Sequence, residues 1–160
     1  MDINERLNTF IQLGKFLTNY SSDNNTGWNS KLTELIENDN IYNPWFTKDN
    51  ILQSIKAIGE SLGEEKIIQW IKKYPNLQQK NKAKRIGVVT AGNIPLVGFH
   101  DFLCVLTSGN IFVGKLSSKD NRLLKFITDF ITQENKKFED FIFFTEDKLD
   151  KFDAIIATGS

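Results

Sequence analysis

The stretch RIGVVTAGNIPLVGFHDFLCVLTSGNIFVGKLSS, residues 85–118, decides the fold. It opens on Arg85-Ile86-Gly87-Val88-Val89-Thr90-Ala91, a β-branched run bounded by Gly92 that reads as a buried strand. Pro95 to Thr107 then carries apolar residues on nearly every helical face, which predicts a heavily buried helix. Ile111 to Leu116 is a second strand. Outward to the C-terminus the alternation continues. Asn121 to Gln133 is an amphipathic helix through Leu123, Leu124, Ile127, Phe130 and Ile131, Phe141 to Thr145 a third strand, and Asp153 to Thr158 a fourth. Strands alternating with helices predict right-handed β-α-β units, an α/β class and a mainly parallel sheet.

Outward to the N-terminus the period is helical throughout. Asp2 caps a first helix with Glu5 at the capping-box spacing, and Ile3, Leu7, Phe10, Ile11, Phe16, Leu17 and Tyr20 make its apolar face. Ser21 to Gly27 is a polar loop, after which Trp28, Leu32, Leu35 and Ile36 form a second, shorter face. Asn43-Pro44 breaks the pattern; Thr47 caps a third helix carrying Ile51, Ile55, Ile58 and Leu62, with Gly63 where that helix ends. Ile67, Ile68, Ile71 and Tyr74 mark a fourth helix, closed by Pro75. No period repeats at fixed length, which excludes a solenoid. Asn76 to Lys82 is the boundary, dividing an α-helical region, 1–80, from an α/β region, 81–160.

Composition excludes several classes. The chain has 160 residues, 40% of them hydrophobic, with 13 Phe and 3 Trp, enough to bury a sizeable core. Twenty basic against twenty acidic residues leave no electrostatic footprint for nucleic acid. The densest basic stretch, Lys80, Lys82, Lys84 and Arg85, reads as a solvated linker. The start, Met1 to Arg6, has neither the basic opening nor the apolar run of a secretory signal, and no segment approaches the roughly 20 apolar residues of a membrane span. One cysteine, Cys104, and one histidine, His100, provide neither an intrachain disulfide nor a Cys/His zinc site. The expectation is a soluble, cytoplasmic protein in which the Asn24-Asn25-Thr26 sequon is without consequence.

In doubly wound sheets ligands sit beyond the carboxyl ends of strands, and three turns fall there. The first is Ala91-Gly92-Asn93-Ile94-Pro95, where Gly92 permits a tight turn and Pro95 suits the first helical position. Asn93 is either a helix cap or a free amide donor. The turn lacks the G-x-G-x-x-G fingerprint. The second is Gly114-Lys115-Leu116-Ser117-Ser118-Lys119-Asp120, either a charged strand end before a helix or a lysine and two hydroxyls for a ribose or phosphate. The third, Ala157-Thr158-Gly159-Ser160, offers backbone N–H groups and a hydroxyl to a phosphate if a helix follows. His100 and Asp101 read as a buried, hydrogen-bonded pair and Cys104 as a buried, unreactive thiol.

Together and in this order the turns resemble the acyl-CoA reductases related to the fatty-acid reductase of bacterial bioluminescence, within the aldehyde dehydrogenase superfamily. The run from Gly87 to Ser118 carries the likeness, with Ala-Gly-Asn-Ile-Pro-Leu-Val-Gly-Phe-His-Asp-Phe and Gly-Lys-Leu-Ser-Ser; Trp45-Phe46-Thr47 is similar but less diagnostic. The resemblance covers essentially the whole chain but only the N-terminal part of such an enzyme. It implies a Rossmann-like sheet that is the incomplete cofactor domain of the aldehyde dehydrogenase fold, and an acyl thioester reduced to an aldehyde through a cysteine-bound acyl intermediate. By the same resemblance Asn93 is the oxyanion donor, Lys115 binds the adenosine ribose, and Gly159 and Ser160 pack under the pyrophosphate. Where the superfamily often has Pro-Ser-Glu after that lysine, this chain has Leu116, Ser117 and Ser118, so the carboxylate that repels a 2′-phosphate is missing and NADP(H) is implied. The nucleophilic cysteine of the family lies downstream of the Gly-Ser turn, and the expectation is a fragment inactive alone, with acyl-CoA as substrate partner and a homo-oligomer as one assembly. A non-catalytic nucleotide-binding module and a helical interaction or scaffold domain are the alternatives.

Overall fold

The computed structural model of the chain describes residues 1–78, 82–147 and 149–157. Four helices lead: α1 (Ile3–Thr18), α2 (Gly27–Asn38), α3 (Lys48–Ser61) and α4 (Glu64–Ile71). Then β1 (Arg85–Val89), α5 (Phe99–Thr107), β2 (Ile111–Lys115), α6 (Arg122–Glu134), β3 (Ile142–Phe144) and β4 (Ala154–Ala157) build the α/β part. The four strands form one sheet in the order β3-β2-β1-β4, every neighbouring pair parallel. Among the described residues no helix is long and apolar enough to cross a membrane.

The first and third helices obey their capping signals. Asp2 accepts the Glu5 N–H and the Glu5 carboxylate accepts the Asp2 N–H, a complete capping box; Thr47 accepts the Asn50 N–H. Gly63 stands where α3 ends, directly after its C-cap Leu62, and it is also the N-cap of α4; its φ of −52° shows that α3 ends there without the left-handed glycine turn.

Alternation along each strand sorts the sheet into two faces. Ile86, Val88, Phe112 and Ile142 point to the side covered by α5 and α6 and belong to the main core. That core is continuous into the N-terminal helices: α1 lies against α5 and α6, and Phe10 is fully buried. A line of edge-to-face rings runs through it, with Phe138–Phe10 centroids 5.9 Å apart, Phe10–Phe102 6.3 Å, Phe102–Phe112 5.0 Å and Phe112–Phe144 6.0 Å. On the opposite face Phe143, Val113, Gly87 and Ile155 form one register row, and Leu149 and Phe152 lie against Gly87.

One local expectation is corrected, and one connection departs from the general alternation. The helix expected from Pro95 begins only at Phe99, behind Gly98. Residues 94–99 make tight turns instead (Val97 N–H to Ile94 O at 3.2 Å, Phe99 N–H to Leu96 O at 2.9 Å), and Leu96 has φ +60°, which no α-helix accepts. The β3-to-β4 connection also departs from the β-α-β pattern, since no helix occurs among its described residues. Glu146, Asp147, Asp150 and Lys151 leave that stretch too polar to present a buried helical face, and it crosses the sheet on Leu149 and Phe152.

Helix α1 meets α3 at Gly14, where a Cβ would stand 2.7 Å from the Leu62 Cβ. In an exposed helix Gly→Ala gains about 1 kcal/mol. Here the added methyl must push α3 away, so Gly14→Ala is expected to lose about 1–3 kcal/mol of stability in urea unfolding. A stabilised Gly14→Ala would contradict this helix contact.

Candidate functional site

Lys115, Val89 and Ala157 share one register row across β2, β1 and β4, so the turns after these strands leave the sheet at one level. The first two turns interlock. The Thr90 N–H donates to the Lys115 carbonyl at 3.2 Å, and the Ser117 N–H donates to the Thr90 hydroxyl at 3.4 Å. A side chain at Gly92 would collide with Ser117, so only glycine lets the turns approach this closely.

The helical region braces both turns through Asn43, 3% exposed in the loop between α2 and α3. Its Nδ2 donates to the Gly92 carbonyl at 2.9 Å and to the Lys119 carbonyl at 3.3 Å, while its Oδ1 accepts the Trp45 N–H at 3.1 Å. Asp120, 6% exposed, adds a second brace by accepting the Leu96 N–H at 3.0 Å. Burial, reinforced by Asp39, pushes the Asp120 carboxyl up to about 7 despite that hydrogen bond. Asp39, equally buried, is raised by the same desolvation, offset by Arg122, whose Nη1 lies 3.1 Å away without hydrogen-bond alignment. Arg122 also stacks over Tyr42 at 4.5 Å. Between Asp39, Tyr42, Ser118, Lys119 and Arg122 opens a cleft of about 270 Å³.

Each residue singled out from the sequence has a definite place. Asn93 is exposed in the first turn, and its side chain makes no hydrogen bond with any described residue. It is not a helix cap: α5 is capped by Gly98, five residues on. Lys115 closes β2, half-buried. Ser117 is half-buried against Gly92 and its hydroxyl accepts the Lys119 N–H at 3.2 Å, whereas Ser118 is exposed on the wall of the cleft. Asn93, Lys115, Ser117 and Ser118 thus lie on adjoining turns, and Gly159 and Ser160 fall outside the described residues.

The expectation of a buried His100–Asp101 pair is corrected. His100 is exposed, its ring 6.1 Å from that of Trp70, and its Nε2 lies 3.5 Å from the Cys104 Sγ rather than on Asp101. Side chains four apart on a helix meet, and neighbours in sequence do not. Cys104 is half-buried, and burial together with Asp101 raises its thiol pKa, the opposite of what a nucleophile needs.

Asn43, Asp39 and Asp120 were invisible as site residues in the sequence. Asn43-Pro44 signals only a break, and nothing local shows that this break sits 49 residues from its partner Gly92. Comparison of the chain with family models, curated proteins and solved structures finds no match in any of the three.

Two measurements follow from the braces. Asn43→Ala leaves two backbone carbonyls without their donor and is expected to cost roughly 1–3 kcal/mol. Asn43→Asp keeps the shape but cannot donate, and is expected to cost as much at pH 7; an Asn43→Asp variant as stable as the parent removes the brace. For Asp120 the folded chain holds its proton more tightly than the unfolded chain, so folding takes up a proton between the ordinary carboxylate range and about pH 7. Stability therefore falls as pH rises through that window, by at most about 1.4 kcal/mol per unit. Asp120→Asn should flatten the slope and be the more stable protein at pH 8, which thermal melts across pH will check.

Proposed function

We propose that this chain carries the oxyanion donor and part of the nucleotide site of an NADP-dependent acyl-CoA reductase. The observation that carries the reading is Asn93: an exposed amide without a partner among the described residues, at the carboxyl end of β1, excluded from a capping role. A capping asparagine has a structural reason to be there, and this one needs another. The strand order supports the same reading, because β3-β2-β1-β4 matches the first four strands of the doubly wound order in a Rossmann-like sheet. In that fold the ligand crevice opens where the order reverses, beside β1.

Lys115 and the exposed Ser118 suit a ribose carrying a 2′-phosphate, since residues 115–119 include two lysines, two serines and no carboxylate. NADPH bound there would supply the hydride for reduction of an acyl thioester. Asn93 would donate its Nδ2–H to the oxygen that gains charge as the thioester carbon is attacked, an interaction worth roughly 3–4 kcal/mol in the transition state. The braces on Gly92 and Leu96 keep that donor preorganised. Ile41, Tyr42, Trp45 and Ile94, each more than half exposed, flank the Asn43–Gly92 bond and offer an apolar surface for an acyl chain. Burial and Asp101 raise the Cys104 thiol, so this reading does not assign Cys104 as the nucleophile.

The same apolar patch favours a second reading, a helical interaction module whose contact residues are Ile41, Tyr42 and Trp45. The kinetics of Asn93→Ala separate the two. In the complete enzyme the substitution should lower kcat by about 10²–10³ with the acyl-CoA KM little changed, because the lost bond forms mainly in the transition state. Unchanged turnover under rate-limiting acylation removes Asn93 from the reaction and leaves the interaction module. Lys115→Ala should raise the KM for NADPH with little effect on the acyl-CoA KM.

A further inference from the structure

Asp120 combines features that a purely structural carboxyl does not need. It is 6% exposed, its Oδ2 accepts the Leu96 N–H at 3.0 Å, and its Oδ1 is buried without a partner among the described residues. Leu96, the residue it holds, has φ +60°, a left-handed conformation that a leucine side chain disfavours. A strained residue persists where its surroundings over-determine it, and such residues cluster at functional turns. The second carboxyl of the cleft, Asp39, is likewise nine-tenths buried and has an Oδ1 without an aligned hydrogen bond.

We propose that Asp120 is a positioning residue for Asn93, holding the Gly92–Leu96 turn in its strained form through the Leu96 N–H, with Asp39 and Arg122 setting the charge it must hold against. The inference rests on the reading of Asn93 as a functional donor and adds how that donor is kept in place and regulated. Neutral Asp120 keeps the Leu96 bond and places no charge beside Asp39. Ionised Asp120 puts a second negative charge in a buried site where Arg122 is already shared with Asp39. The Leu96 N–H bond favours that ionised form, so ionisation tightens the grip on Leu96 and shifts the backbone that carries Asn93 with it. The charged or titratable groups facing Asp120 are Asp39 and Tyr42 from the α2–α3 connection, Arg122 from α6, and Lys119 in its own turn; the turn it holds, Ala91 to Gly98, carries none. The first titratable groups of α5 are His100 and Asp101, one turn away.

The test is a pH titration of the ¹⁵N-labelled chain by NMR, following the Leu96 backbone amide and the Asn93 side-chain amide from pH 5 to pH 9, in a His100→Gln background that removes the imidazole. Both signals should move together with one midpoint near 7, set by Asp120. In Asp120→Asn both should stay at the parent's low-pH positions at every pH, and Asp39→Asn should lower the midpoint. Movement of Leu96 without Asn93, or movement of Asn93 that persists in Asp120→Asn, overturns the proposal. Asp120→Ala should displace both signals at all pH values; if it fails to fold, the Asn variants still decide. The readout does not involve turnover. An unreactive Asn93 would therefore show in the kinetics alone, and a failed brace in these spectra alone.

Discussion

The structure depends on the ring line from Phe138 through Phe10, Phe102 and Phe112 to Phe144. Phe10 belongs to α1, Phe102 to α5, Phe112 to β2 and Phe144 to β3, so a single packed line joins the helical region, the helix layer and the sheet. Its central rings, Phe10, Phe102 and Phe112, are fully buried, and removing a buried phenylalanine ring costs roughly 3–5 kcal/mol. That rigidity is what allows Asn43, from the helical region, to reach the Gly92 and Lys119 carbonyls of the α/β part with hydrogen-bond accuracy. A loosely docked helical region would leave both turns unbraced. The helices are therefore part of the candidate site, although the residues expected to do chemistry all lie on strand ends.

The two sheet faces differ in how they are covered. Under α5 and α6 the strands bury Val88 and Phe112 completely. On the other face Phe143 is 41% exposed and Ile155 51%, and among the described residues Leu149 and Phe152 lie against Gly87. The Arg85 guanidinium over the Phe143 ring, 5.3 Å from its centroid, shields part of that face.

Legibility in the sequence followed the range of the interaction. Capping at Asp2 and Thr47 is decided within three residues, and the strands announce themselves by β-branched runs, so class, element order and parallel sense could be read directly. The start of α5 was misplaced because Pro95 signals a helix, whereas Leu96 is bent away by a carboxylate 24 residues downstream. His100 and Asp101 looked like partners because they are adjacent, but helical geometry gave His100 to Cys104. Of the site, the turns were visible and their braces were not: Asn43, Asp39 and Asp120 acquire meaning only when the 76-residue separation between Asn43 and Lys119 is closed by folding.

Under the proposed function the carboxyl edge beside β1 and β2 is a nucleotide site. Titration of the ¹⁵N-labelled chain with NADPH and, separately, NADH tests it directly. Shifts should concentrate at Lys115, Ser117, Ser118 and the Gly92–Asn93 turn, larger for NADPH than for NADH at equal concentration. Shifts centred on the Ile41–Trp45 patch, or no saturable shift with either nucleotide, would contradict it.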